Sequence, residues 1–223
     1  MPTRSPNPTG MRRQPRQARS QERVNRILDV AEELFIAEGY NATTTNAIAK
    51  RADVAIGSLY QFFPDKTAIL QGLALRYSKL LYQRLSEPNP ETLASLPLAD
   101  YVDLIIDATD QFFTDYPGYY AIFMPLQGTM PELQTIEAVA DAQLIQDMAT
   151  ELSLRDAGLE TADCDAIAYV LVKTIGTLLW LALGQEKPFR QRLVAETKRL
   201  TLHYLQSYFP SERIPANNRA GAD

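Results

Sequence analysis

An all-α protein of about nine helices is predicted by three features of the sequence. No run of the chain alternates apolar and polar residues as a half-buried strand would. Apolar residues recur instead at intervals of three and four, the spacing that lines one face of a helix. Glycine, proline and short polar clusters interrupt that pattern often enough to give a bundle of helices with short connections.

Taken in order, residues 1–19 are rich in proline, arginine, glutamine and serine and are expected to form a disordered basic arm. A first helix is expected from an N-cap at Ser20. Its inner stripe is Val24, Ile27, Leu28, Ala31, Leu34 and Phe35, and Gly39 is its natural stop. Thr44 can cap a short second helix from Thr45 to about Ala52, with Ile48, Ala49 and Ala52 inward. Asp53-Val54 breaks the pattern before a third short helix, from about Ala55 to Phe62, where Leu59, Phe62 and Phe63 can pack. Pro64-Asp65-Lys66 ends it and opens a fourth helix that runs to about Ser86. Pro88, Pro90 and Pro97 make 86–97 a break. A helix from about Leu98 to Tyr116 is stopped by Pro117-Gly118. Shorter helical pieces are expected over 118–127 and 131–155. Two strong helices follow at roughly 162–185 and 189–208, and residues 210–223 are expected to be a disordered tail.

The net charge of −5 conceals an asymmetry. Residues 1–66 carry a net +3 and residues 67–223 a net −8. A basic end on an acidic body suits a polyanionic partner at that end. The lone cysteine, Cys164, permits no internal disulfide and fits a reducing cytoplasm. Arg4, Arg12, Arg13, Arg16 and Arg19 lie close to the N-terminus without an apolar run, unlike a secretory signal. The most apolar stretch, Ile167 to Leu183, is short for a membrane span and holds Lys173, which favours a buried helix.

Two short helices joined by a tight turn and set against a longer first helix make a helix-turn-helix, at roughly residues 44–62. The second of them is narrow enough to enter a DNA major groove. The residues sharpen this reading. Gly39-Tyr40-Asn41-Ala42-Thr43-Thr44 leads into Ile48-Ala49-Lys50-Arg51-Ala52, followed by Val54, Gly57-Ser58-Leu59-Tyr60, Phe63 and Lys66. Over about residues 20–70 the sequence resembles the tetracycline-repressor (TetR) family of bacterial regulators.

The resemblance implies a three-helix DNA-binding domain over 20–66. A helical domain over 67–209 would bind an effector and form the dimer. It implies operator DNA as partner, a cytoplasmic location, no cofactor and no enzymatic activity. Thr44 would cap the second helix, while Thr43 and Thr45 donate to phosphates. Gly57 would let backbone approach DNA closely. Ser58 would bond a phosphate or base edge, and Tyr60 a phosphate. Lys66 would attract a phosphate at the start of the fourth helix. Ala55, Ile56 and Gln61 would read bases, Gln61 by hydrogen bonds and Ile56 through a thymine methyl. Internal packing of Ile56 or Tyr60 is the competing reading. Three positions depart from the family pattern: Asp53 replaces a turn glycine, Ala55 replaces a capping serine, and Ile56 replaces a polar residue.

In the body, the helices at about 162–185 and 189–208 would pair with those of a second copy. Ile167, Leu171, Ile175 and Leu178 line one side of the first, and apolar residues such as Val170 and Leu181 lie elsewhere around it. Phe112, Tyr116, Tyr120, Phe123, Met124 and Trp180 are candidates for a mostly apolar effector site, or else plain core. Two other classes remain. Asp103, Asp107 and Asp110 share one helix face and form either a solvated side or a metal site of a lyase. A helical interaction protein that never touches DNA would leave the arginine arm unexplained.

Overall fold

A computed structural model describes residues 18–126, 128–156 and 158–210. The described residues form ten α-helices: α1 (Ala18–Glu38), α2 (Thr45–Arg51), α3 (Ile56–Phe62), α4 (Lys66–Leu85), α5 (Pro90–Ser95), α6 (Leu98–Asp115), α7 (Pro117–Phe123), α8 (Pro131–Arg155), α9 (Thr161–Ala182) and α10 (Lys187–Tyr208). A single 3-10 turn, Met124–Leu126, follows α7. The expected arm and tail lie outside the described residues, except that Ala18 and Arg19 open α1 and Pro210 follows α10.

Local chemistry accounts for most boundaries. Gly39 ends α1 in the left-handed region, with φ 83°. Thr44 caps α2 by accepting from the Ala47 amide at 3.1 Å. Asp53 takes φ 51°, a left-handed conformation that aspartate tolerates better than most residues. Asp65 caps α4 by accepting from the Ala68 amide at 2.8 Å. Two expectations are corrected. The break at 86–97 contains α5, because Asn89 accepts from the Thr92 amide and Pro90 sits where a helix needs no amide donor. The 131–155 region is one helix of 25 residues, not short pieces.

The chain divides into two compact units. The first takes the described residues of Met1–Arg84 together with Phe112–Gln143. In it the inner stripe of α1 packs with Ile48 and Ala49 of α2 and Leu59 and Phe62 of α3, all buried. Gly72 on α4 is pressed against Leu28 and Phe63, so close that an added Cβ would lie 3.1 Å from each. Glu32 of α1 accepts hydrogen bonds from Tyr77 and Arg76 of α4. Arg76 also reaches Asp29 at 2.5 Å.

The second unit takes Leu85–Gln111 and the described residues of Leu144–Asp223. Its α9 buries Ile167, Ala168, Leu171, Ile175, Leu179 and Ala182, and α10 packs on it through Thr197, Thr201 and Leu205. Arg155 donates to the carbonyls of Leu93 and Leu96 and holds α5 to α8. The buried Tyr101 hydroxyl donates to Glu151 at 2.8 Å. Burial, together with the Glu151 charge and hydrogen bond, raises the Tyr101 pKa well above its ordinary value. Burial, the Glu32 hydrogen bond and the Glu32 charge raise that of Tyr77. A phenol held neutral in the fold contributes fully below the unfolded tyrosine pKa, roughly 10, and its contribution is lost as pH climbs towards the folded value. Thermal unfolding midpoints should therefore fall from about pH 10 upward. Tyr101→Phe should flatten that decline; an unchanged slope in the variant would contradict the assignment.

Candidate functional site

The expected DNA-binding residues fall into two groups in the first unit. Thr44, Ala55, Ile56, Gly57, Tyr60 and Gln61 are exposed, and Thr45 and Ser58 are half-buried. Ile56 is 38% and Tyr60 39% exposed, which sets aside the reading of either as core. The inward face of α3 is carried by Leu59 and Phe62 instead. The Thr45 and Tyr60 hydroxyls share a hydrogen bond of 3.0 Å that links α2 to α3 and places two hydroxyls side by side at the surface. A Cβ at Gly57 would meet nothing within 4 Å. The fold does not demand glycine there, and its effect is to leave backbone bare on an outward face. Ala55 gives α3 no side-chain cap, as expected from the missing serine.

Two of the expected residues turn inward. Thr43 is only 1% exposed, and its hydroxyl donates inward to the carbonyls of Gly39 (2.9 Å) and Leu34 (3.3 Å). Buried and donating to two carbonyls, it is turned away from any phosphate. Lys66 points its Nζ at the carbonyls of Tyr40 (2.6 Å), Asn41 (3.2 Å) and Thr43 (2.8 Å). All three of its protons have acceptors, and the ammonium also lies 4.4 Å from the Tyr40 ring centroid. Neither feature is visible in the sequence, since each bond joins residues brought together by the packing of α1 against its neighbours.

Of the effector candidates, Phe112, Tyr116 and Phe123 meet in one aromatic cluster of the first unit. Phe112 and Tyr116 lie 5.0 Å apart between centroids. Tyr77 of α4 contacts both Tyr116 and Phe123 at 6.1 Å, and Tyr119 packs against Phe112, Phe113, Tyr77 and Phe123. Tyr120 and Met124 are half-buried on the same segment. Trp180 belongs to α9 in the other unit. Tyr77 was not anticipated, although its spacing from Leu70 and Leu73 continues the buried stripe of α4.

The acidic face of α6 is not a bare solvated side. Lys198 of α10 pairs with Asp103 at 3.0 Å and Asp107 at 2.8 Å, and Arg190 pairs with Asp110 at 2.7 Å. Burial lowers the Lys198 pKa, but its hydrogen bonds to Asp107 and Asp103 outweigh this and raise it. A divalent cation would have to displace fixed positive charges. Among the described residues, no group of three or more His, Cys, Asp or Glu is placed to hold a metal ion. By length and composition α9 is apolar enough to cross a membrane, yet one side of it is packed on α10.

A short helix with an exposed, mixed polar and apolar face, braced by α1 and α2, defines the helix-turn-helix class of DNA-binding proteins. Residues 27–73 match the model of the bacterial regulatory proteins, tetR family, and residues 97–205 match that of the tetracyclin repressor-like C-terminal domain. The chain belongs to the tetR family. It is similar to the HTH-type transcriptional repressor KstR of Rhodococcus jostii, with 37% identity over 34% of this chain and 37% of that protein. It is 30% identical to the HTH-type transcriptional regulator UidR of Escherichia coli over 44% of this chain and 48% of that one. The chain thus aligns with less than half the length of these curated relatives. A TetR-family regulator from Streptomyces coelicolor shares the fold with a TM-score of 0.57 and 25% identity, over 83% of this chain and 98% of that one. A Rhodococcus transcriptional regulator does so with a TM-score of 0.64 and 16% identity, over 83% and 96%.

Proposed function

We propose that the chain is a sequence-specific transcriptional repressor that binds a near-palindromic operator as a homodimer and is released by a small, mostly apolar ligand. The observation that carries this is the outward face of α3. Ile56, Gly57, Tyr60 and Gln61 are exposed together with Thr44, on a helix-turn-helix whose inner face is packed through Ile48, Ala49, Leu59 and Phe62. Tyr60, Thr45 and Ser58 would bond backbone phosphates; Gln61 and Ile56 would read base edges, with Ala55 beside them. Repression is the mode named for the KstR relatives.

The dimer reading rests on the second unit. Tyr169, Val170 and Leu181 of α9, with Leu200 and Tyr208 of α10, are large apolar side chains left exposed. A second copy of the same two helices would cover them and set two α3 helices against related half-sites. The effector reading rests on the aromatic cluster around Phe112, Tyr116 and Phe123, flanked by Tyr120 and Met124. A ligand inserted there would shift α4 through Tyr77. Trp180 lies on α9 of the second unit and is not assigned to this cluster. A cytoplasmic location follows from the proposed role.

The test is binding of the purified protein to DNA from its own promoter region at two salt concentrations, beside Tyr60→Ala and Gln61→Ala. Tyr60→Ala should weaken binding to every sequence alike. Gln61→Ala should lose about 1–3 kcal/mol of discrimination at one base pair. A folded dimer that binds no upstream fragment would overturn the proposal in favour of a helical interaction protein.

A further inference from the structure

The structure assigns Lys66 the role of a positioning residue for DNA binding: its ammonium clamps the α1–α2 loop to the first turn of α4, so that the start of α2 moves with α4. The inference rests on the DNA-binding reading of the preceding subsection and concerns how that surface is held.

The clamp has three parts. The Lys66 Nζ donates to the carbonyls of Tyr40, Asn41 and Thr43, three residues of the loop between α1 and α2. The Tyr40 ring lies beneath the ammonium. The Tyr40 hydroxyl bonds Thr67, the next residue of α4, at 3.1 Å. Three residues of the loop are thus tied to two of α4, immediately before Thr44, the cap of α2. Partial burial lowers the Lys66 pKa, as expected for an ammonium drawn out of water. A lysine so committed has no proton left for a phosphate. Its loss should misplace Thr44 and Thr45 without removing a charge that DNA neutralises. Any shift of α4 would reach the DNA-facing end of α2 through the same three bonds. An arginine cannot replace it, because a planar guanidinium does not present three donors to three converging carbonyls.

The probe is a duplex enriched from random-sequence DNA by the unaltered protein. If no duplex is enriched, the DNA-binding reading and this inference fall together. With a duplex in hand, the logarithm of affinity is measured against the logarithm of salt concentration for the unaltered protein, Lys66→Met and Lys66→Arg. Both variants should bind about tenfold more weakly at every salt concentration, with the slope unchanged. A phosphate contact predicts instead a slope reduced by about one in Lys66→Met and affinity restored in Lys66→Arg; that pattern would overturn the inference while leaving the regulator reading intact. Reductive methylation of the unaltered protein needs no variant to fold. Lys66 should react slowly, relative to the exposed Lys187, and equally so with and without DNA. Ready modification in the free protein and protection by DNA would mark it as a phosphate contact.

Discussion

Tyr77→Ala should destabilise the protein by about 3–5 kcal/mol, a fall in the thermal midpoint on the order of 10 °C. Tyr77 is 1% exposed and among the largest fully buried side chains. Its ring meets Tyr116, Tyr119 and Phe123 edge-on, so truncation removes contacts with α7 and leaves a cavity that three rigid rings cannot collapse to fill. Its hydroxyl donates to Glu32, which also receives Arg76. The backbone has been fitted around this group. A Cβ on Gly118 would stand 2.7 Å from the Tyr77 hydroxyl and 2.9 Å from the Glu32 carboxylate. Tyr77→Phe keeps the ring and the packing and should cost only about 1 kcal/mol, since Glu32 retains Arg76. Thermal melts of both variants decide the matter. Equal losses would mean that the hydrogen bond outweighs the aromatic packing, contrary to this account.

Leu181→Arg should convert the proposed dimer into a folded monomer and lower operator affinity by about a hundredfold or more. Leu181 is 49% exposed, so an arginine there disturbs nothing inside its own unit. Val170, Thr177 and Leu181 follow one side of α9, distinct from the buried side formed by Leu171, Ile175 and Leu179. An unpaired charge buried in each copy of a symmetric interface is met by its own image, which doubles the penalty. A monomer would hold a single half-site and lose the gain of two linked contacts. Sedimentation velocity and operator titration on the same sample read both consequences. A variant that stays dimeric with full affinity would move the interface elsewhere.

Much of this molecule is written in intervals of four residues or fewer. The stripe of α1, the Thr44 cap, the stop at Gly39 and the left-handed Asp53 are each decided by near neighbours, and each could be read from the sequence. So could the division of α3 into inward Leu59 and Phe62 and outward Ile56 and Tyr60, because a helix repeats every 3.6 residues. α5 is harder to read because three prolines in twelve residues resemble a break, whereas Pro90 after Asn89 is a helix start.

What only the tertiary structure decided is where polar groups find partners. Thr43 stands beside two good surface threonines, yet its hydroxyl turns inward to the carbonyls of Leu34 and Gly39. Lys66 has the spacing of a phosphate contact, yet its charge is consumed 23 to 26 residues back along the chain. The aspartates of α6 meet cations of α10 that lie 80 or more residues away. Periodicity and capping are local and were determined by the sequence alone. The direction of a flexible charged or hydroxyl side chain depends on which unsatisfied group the packing brings within about 3 Å, and that is a property of the fold.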